Sequence, residues 1–217
     1  MTNMAYYLNY LNDVIGPGAS LSLERLGGHR ILYTHQGTAE ANGQSIPADE
    51  AAYFDDAVTI KGGPEGARIF RWELTDGPVP APTNIETMMR MSRHIWSLEI
   101  PAGSVWIFRL DRINHPAPEP ADCHTHPGPG IRALLSGPFI IEQTSESGGG
   151  TYPGDPWWET GPEAVISTPA TPQDVHFLRG MLLPLEFEGR PDTAVWLRTK
   201  PAQKSEWKLY VDQRVTL

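Results

Sequence analysis

The sequence holds a single cysteine, Cys123, in 217 residues. No intrachain disulfide is possible, and a chain of this length buries enough surface to fold without one. A reducing, cytoplasmic setting is the natural expectation. Basic charge is also scarce: 17 Lys and Arg against 26 Asp and Glu give a formal net charge of −9. Binding to nucleic acid or to an anionic membrane surface needs a basic footprint, so neither is expected. No apolar run approaches the length of a membrane-spanning helix. Met1 to Tyr10 has neither the basic start nor the apolar core of a signal peptide. A nucleophile elbow, a CxxC pair and an H-E-x-x-H motif are all missing, and Gly148-Gly149-Gly150 is followed by no Lys-Ser/Thr, so it is not a phosphate-binding loop.

What the chain has is turn residues: 21 Gly and 21 Pro. That number suits short strands joined by tight turns. Leu21 and Leu23 alternate with polar neighbours, and Asn42-Gly43 is a hairpin signal. Gly62-Gly63-Pro64-Glu65-Gly66 reads as a turn before the strand Ala67 to Leu74. Two short helical pieces are expected among the strands. One lies in residues 1–20, where Tyr6, Tyr7, Leu8, Tyr10, Leu11, Val14 and Ile15 precede Gly16-Pro17-Gly18. The other is a turn over Ile85 to Met91. The tail Trp207 to Val215 alternates well enough for a last strand, placed on the sheet of the first half or on another subunit.

The two halves carry a faint repeat. Ala67-Arg68-Ile69-Phe70-Arg71 parallels Val175-His176-Phe177-Leu178-Arg179, and each block follows an apolar run ending at a glycine, Gly37 or Gly137. The predicted organisation is an N-terminal β domain over 1–78, a Pro-rich linker over 79–92 and a C-terminal β domain over 93–217.

Chemistry concentrates in Cys123-His124-Thr125-His126-Pro127-Gly128-Pro129-Gly130 and the apolar run after it. In an extended backbone His124 and His126 project from one face, which makes half of a divalent metal site. The bland alternative is a pair of ordinary loop histidines. His-x-His, a short turn and an apolar strand ending at Gly137 resembles the first signature motif of the cupin superfamily. The glutamate of that motif falls at Gly130 and is missing. The second motif has a partial echo in Gly154-Asp155-Pro156-Trp157-Trp158-Glu159, with its histidine position taken by Ala164.

The resemblance implies an all-β chain of two double-stranded β-helix (jelly-roll) barrels, a divalent metal ion (Zn, Fe, Ni or Mn), and a homodimer. The first barrel, without His-x-His, is expected to be structural. A third ligand is expected because two imidazoles bind an ion weakly. His176 is favoured for it, its alternative being an outward-facing or hydrogen-bonded ring; Glu159 and Glu163 are the carboxylate candidates, their alternative being solvated loop groups. Arg132 is either a strand-end surface charge or a partner for a carboxylate substrate. Trp106, Trp157 and Trp158 read as packing first and as a cavity lining second. The expected function is a metal-dependent enzyme acting on a small organic molecule, the rival being a non-catalytic small-molecule binding or sensing protein.

Overall fold

The computed structural model describes residues 6–24, 28–77, 79, 86–94, 100–198 and 205–217. They fall into two compact units, the described residues of 6–94 and those of 100–217.

The N-terminal unit contains β1 (Tyr7–Ile15), β2 (Ser20–Leu23), β3 (His29–Ala41), β4 (Gln44–Pro47), β5 (Glu50–Phe54), β6 (Val58–Thr75) and β7 (Glu86–His94). They form one antiparallel sheet in the order β4-β3-β6-β1-β7, with β2 on β6 and β5 on β3. The helix expected in residues 1–20 is a strand instead. β1 bonds to β6 on one side and β7 on the other, and Leu8 to Asp13 are all buried. A strand covered on both faces loses the polar/apolar alternation that would have revealed it. Similarly, the helical turn expected over Ile85 to Met91 is strand from Glu86 on. The same strand β7 takes in residues 86–92 of the segment expected to be a linker.

The turn expected at Gly62–Gly66 is instead part of the continuous strand β6. A Cβ at residue 62 would lie 2.5 Å from the Gly16 carbonyl oxygen, so glycine there permits a close backbone approach. The Asn42-Gly43 hairpin is as expected: both residues have positive φ, 48° and 84°, and β3 and β4 pair on either side. Leu21, Leu32, Ile46, Ile60 and Ile69 lead the core of this unit.

The C-terminal unit contains β8 (Val105–His115), β9 (Ala121–Thr125), β10 (Gly130–Ser136), β11 (Phe139–Gln143), β12 (Gly148–Gly150), β13 (Pro156–Glu159), β14 (Val165–Pro169), β15 (Val175–Pro184), β16 (Val195–Trp196) and β17 (Glu206–Thr216). Two five-stranded sheets result, β13-β10-β15-β8-β17 and β12-β11-β14-β9-β16. Their shared core takes Leu134, Trp157 and Val175 from the first and Phe139, Ile141 and Val165 from the second, so it sits between the sheets. Each such buried side chain contributes about 1.5–3 kcal/mol. The tail strand β17 pairs with β8 of its own unit, not with the first half.

The repeat has a structural basis. Gly37 and Gly137 both have positive φ, 72° and 75°. A Cβ on Gly37 would strike the Gly66 carbonyl, and one on Gly137 the Asp174 carbonyl, the residues just before Ala67 and Val175. Arg71 and Arg179, equivalent in the repeat, each make a bidentate ion pair with an aspartate of the first strand of their unit. Arg71 Nε donates to Asp13 at 2.7 Å and Arg179 Nε to Asp111 at 2.7 Å. Buried pairs of this kind fix which groups meet more than they add stability. Among the described residues no helix is long and apolar enough to cross a membrane.

Candidate metal and ligand site

The C-terminal unit encloses a cavity of about 350 Å³, within the range of small-molecule sites. His124 and His126 line it with Arg132, Glu159 and Arg179 among the polar groups, and Ile113, Phe139, Phe177, Trp196 and Trp207 among the apolar ones. His124 lies one residue before the end of β9, and His126 comes directly after the strand, in the turn that leads into β10. Their rings stand 5.0 Å apart at 88°. Both imidazoles therefore face one cavity, as side chains two apart on an extended backbone do.

Hydrogen bonds fix their tautomers. His124 Nδ1 lies 2.7 Å from the Asp122 carbonyl and His126 Nδ1 lies 3.1 Å from the Thr193 carbonyl. A carbonyl only accepts, so both Nδ1 atoms carry the proton, and in the neutral ring each Nε2 presents a lone pair. Burial, and then the neighbouring His126, lower His124 to about 4. His126 is also lowered, by burial first, with Glu159 opposing and Arg132 and Arg179 adding to the effect. Both rings are therefore neutral near pH 7.

Glu159 completes the group. It ends β13, directly opposite Gly130 of β10. Position 130, where a cupin motif would carry a carboxylate, thus has a carboxylate as its cross-strand neighbour. Gly130 has no room for a side chain: a Cβ there would lie 2.5 Å from Arg132 Nη1 and 2.6 Å from the Gly180 carbonyl oxygen. Glu159 Oε1 accepts from Trp157 Nε1 at 2.8 Å. Oε2 lies 3.2 Å from His126 Nε2 and 2.8 Å from Arg132 Nη2, yet makes no hydrogen bond of good geometry. Burial opposes ionisation of this carboxyl, but the Arg132 guanidinium first, and then the Trp157 N–H, hold it well below the usual carboxylate range. Since His126 is neutral and protonated on Nδ1, its Nε2 meets Oε2 as acceptor facing acceptor. A cation between them removes that conflict. Among the described residues no three His, Cys, Asp or Glu side chains are already gathered as a metal cage, and Arg132 approaches the same carboxylate oxygen. As a donor set, two imidazoles and one carboxylate fit a divalent ion.

The other sequence candidates lie elsewhere. His176 on β15 pairs in register with Asn114 and Ser136 and does not line the cavity. Phe177 and Arg179 do, one and three positions on, so His176 has the outward parity. Glu163 accepts from the backbone N–H and hydroxyl of Ser145, which pins the turn after β11. Trp157 and Trp158 are buried, Trp157 in the core cluster. Trp106 donates to Ser104 Oγ at 2.9 Å.

Sequence reasoning missed His115, Trp196 and Trp207. His115 Nε2 donates to the Glu119 carbonyl at 2.6 Å, and Trp207 Nε1 donates to Asp111 at 2.9 Å. The Trp196 ring lies 4.8 Å from that of His124, tilted by 39°, because β16 pairs with β9. The only sequence signal for that was an aromatic after a turn-rich stretch.

No protein-family model matches this sequence, and no curated protein sequence does. Solved structures do match in fold. The Lactobacillus farciminis oxalate decarboxylase–formate complex has a TM-score of 0.58 at 13% identity, over 88% of this chain and 80% of that one. AerE from Microcystis aeruginosa has 0.59 at 18%, over 81% and 88%. Bacillus subtilis oxalate decarboxylase, which has Mn(II) centres, has 0.54 at 12%, over 79% and 68%. The fold is a cupin fold. At these identities the likeness speaks to architecture, and function has to come from the cavity itself.

Proposed function

We propose that the C-terminal cupin barrel is a metal-dependent enzyme site for a small organic substrate, with His124, His126 and Glu159 as the ligands of a divalent ion. The observation that carries this reading is the 3.2 Å approach of His126 Nε2 to Glu159 Oε2, two acceptors in a buried cavity. The Mn(II) centres of the Bacillus subtilis enzyme are a precedent for an ion in this fold.

A bound divalent ion supplies Lewis acidity or redox chemistry at the open positions. The chain's own groups prepare the place for it. The Asp122 and Thr193 carbonyls orient the two imidazoles and hold their protons on Nδ1. Trp157 Nε1–H holds Glu159 Oε1 and leaves Oε2 as the donor. Ile113, Phe139, Phe177 and Trp196 wall the cavity with apolar surface, which limits water and strengthens the electrostatics inside. Dioxygenase, isomerase and lyase chemistries all run on this fold, and the fold does not select among them.

A second reading rests on Arg132. Its guanidinium lies 2.8 Å from the same carboxylate oxygen and supplies a cation without a metal, as a non-catalytic binding protein would use. Elemental analysis of protein purified without a histidine tag separates the two. About one ion per chain, lost in a His124→Ala, His126→Ala variant that still folds, supports the enzyme reading. A metal-free wild-type chain that binds an organic ligand supports the other.

A further inference from the structure

Five arginines are buried among the described residues: Arg30, Arg71, Arg109, Arg132 and Arg179. Four of them are engaged. Arg71 is bidentate on Asp13, and Arg179 is bidentate on Asp111 with Nη1 donating to Thr193 Oγ1. Arg109 bonds Asp212 and two carbonyls, and Arg30 donates to three carbonyls. Arg132 alone has no hydrogen bond from Nε, Nη1 or Nη2, although it is fully buried and lines the cavity. Its one charge contact is Glu159 Oε2. A guanidinium carries five N–H donors, and each buried donor left unmet costs about 1–3 kcal/mol.

We infer that the cavity binds an organic carboxylate, its two oxygens on the Arg132 guanidinium and its apolar body among Ile113, Phe139, Phe177 and Trp196. The inference takes the proposed site as the ligand chamber and so rests on that reading, but it does not need the ion. The planar fork of Arg132 matches two coplanar oxygens. Arg179 faces Arg132 in register across β10 and β15, but its charge is consumed by Asp111. One guanidinium with open donors therefore suits one carboxylate, where a phosphate dianion would call for more positive charge. Asp192, at the exposed rim, accepts from the Ala194 N–H and adds no positive charge. Gly130 belongs to the same device, since any side chain there would displace Nη1.

The test is titration of the tag-free protein with benzoate, phenylacetate and 3-phenylpropionate, each against its amide, and with inorganic phosphate. Calorimetry and quenching of tryptophan fluorescence are the readouts, on chelator-treated and Mn(II)-loaded protein. At least one acid is expected to bind about tenfold or more tighter than its amide in both forms. Arg132→Gln should abolish that preference with metal content measured in parallel, Arg132→Lys should keep part of it, and the exposed Arg198→Gln should bind as wild type. Equal binding of acid and amide, no acid binding at millimolar concentration, or phosphate binding in preference to every acid overturns the inference. The wild-type acid–amide comparison decides even if Arg132→Gln does not fold. Acid binding that needs Mn(II) and survives Arg132→Gln defeats this inference and leaves the metal reading intact. Acid binding through Arg132 in a protein that takes up no metal does the reverse.

Discussion

Replacing Glu159 by Gln removes one negative charge and almost no volume. The Trp157 Nε1 bond to Oε1 has an acceptor in either residue, so the change falls on Oε2, 2.8 Å from Arg132 Nη2. Arg132 is fully buried and Glu159 nearly so. Stripping one partner from such a pair leaves an uncompensated buried charge, worth about 3–5 kcal/mol. In a protein of this size that lowers the melting midpoint by roughly 6–20 °C. Arg132→Gln should cost a similar amount, because it strands the carboxylate instead. The double variant should lose less than the sum, with a coupling energy of roughly 1–3 kcal/mol. Denaturant unfolding followed by tryptophan fluorescence measures all four corners of the cycle. In wild type, Mn(II) at about a hundred times its dissociation constant should add about 2.7 kcal/mol, and in Glu159→Gln most of that gain should vanish. A Glu159→Gln protein within about 1 kcal/mol of wild type, or additive single changes, would refute the buried pair as described.

Other outcomes follow from other parts of the structure. Gly130→Ala should destabilise by about 1–3 kcal/mol through overpacking against Arg132 Nη1 and the Gly180 carbonyl, and Gly130→Glu should not restore a motif ligand; thermal unfolding and metal content check both. His176→Ala should leave metal content unchanged, because its parity points away from the cavity, and loss of the ion would contradict that placement. His35, stacked on Phe70 at 4.7 Å, is lowered to about 4 by burial and then by Arg68. A histidine lowered on folding binds more protons when unfolded, so its contribution is whole above pH 6.5 and falls away as pH drops towards 4. Urea midpoints across that window should slope less in His35→Gln, and an unchanged slope would count against it.

The sequence carried the β class, the hairpin at Asn42-Gly43 and the convergence of His124 and His126, since each depends on local rules of turns and alternation. It hid β1, because a strand buried on both faces and carrying Asn9, Asn12 and Asp13 inside resembles neither template. It also hid which of His176 and Glu159 lies at the cavity. Both lie beside apolar strand residues, and only the pairing of β13 with β10 places one opposite Gly130. For Arg132 the sequence left a strand-end charge and a carboxylate partner equally open, because burial of a guanidinium depends on what the next strands bring to it. Trp196 reached the cavity through the two-residue strand β16, too short to leave a pattern.

In the proposed ligand set Glu159 stands on a different strand from His124, so its aim depends on a hydrogen-bond ladder. A slip of β13 by one residue would turn Glu159 to the opposite face and put Trp158 in its place. What pins the ladder lies at its far end, where Leu134 N–H bonds the Asp155 carbonyl, Gly154 N–H bonds the Leu134 carbonyl, and the Asp155 carboxylate caps Thr151 and Tyr152. A small turn outside the cavity lining thereby sets where the carboxylate aims, and damage to it would misplace Glu159 while both histidines stayed in position.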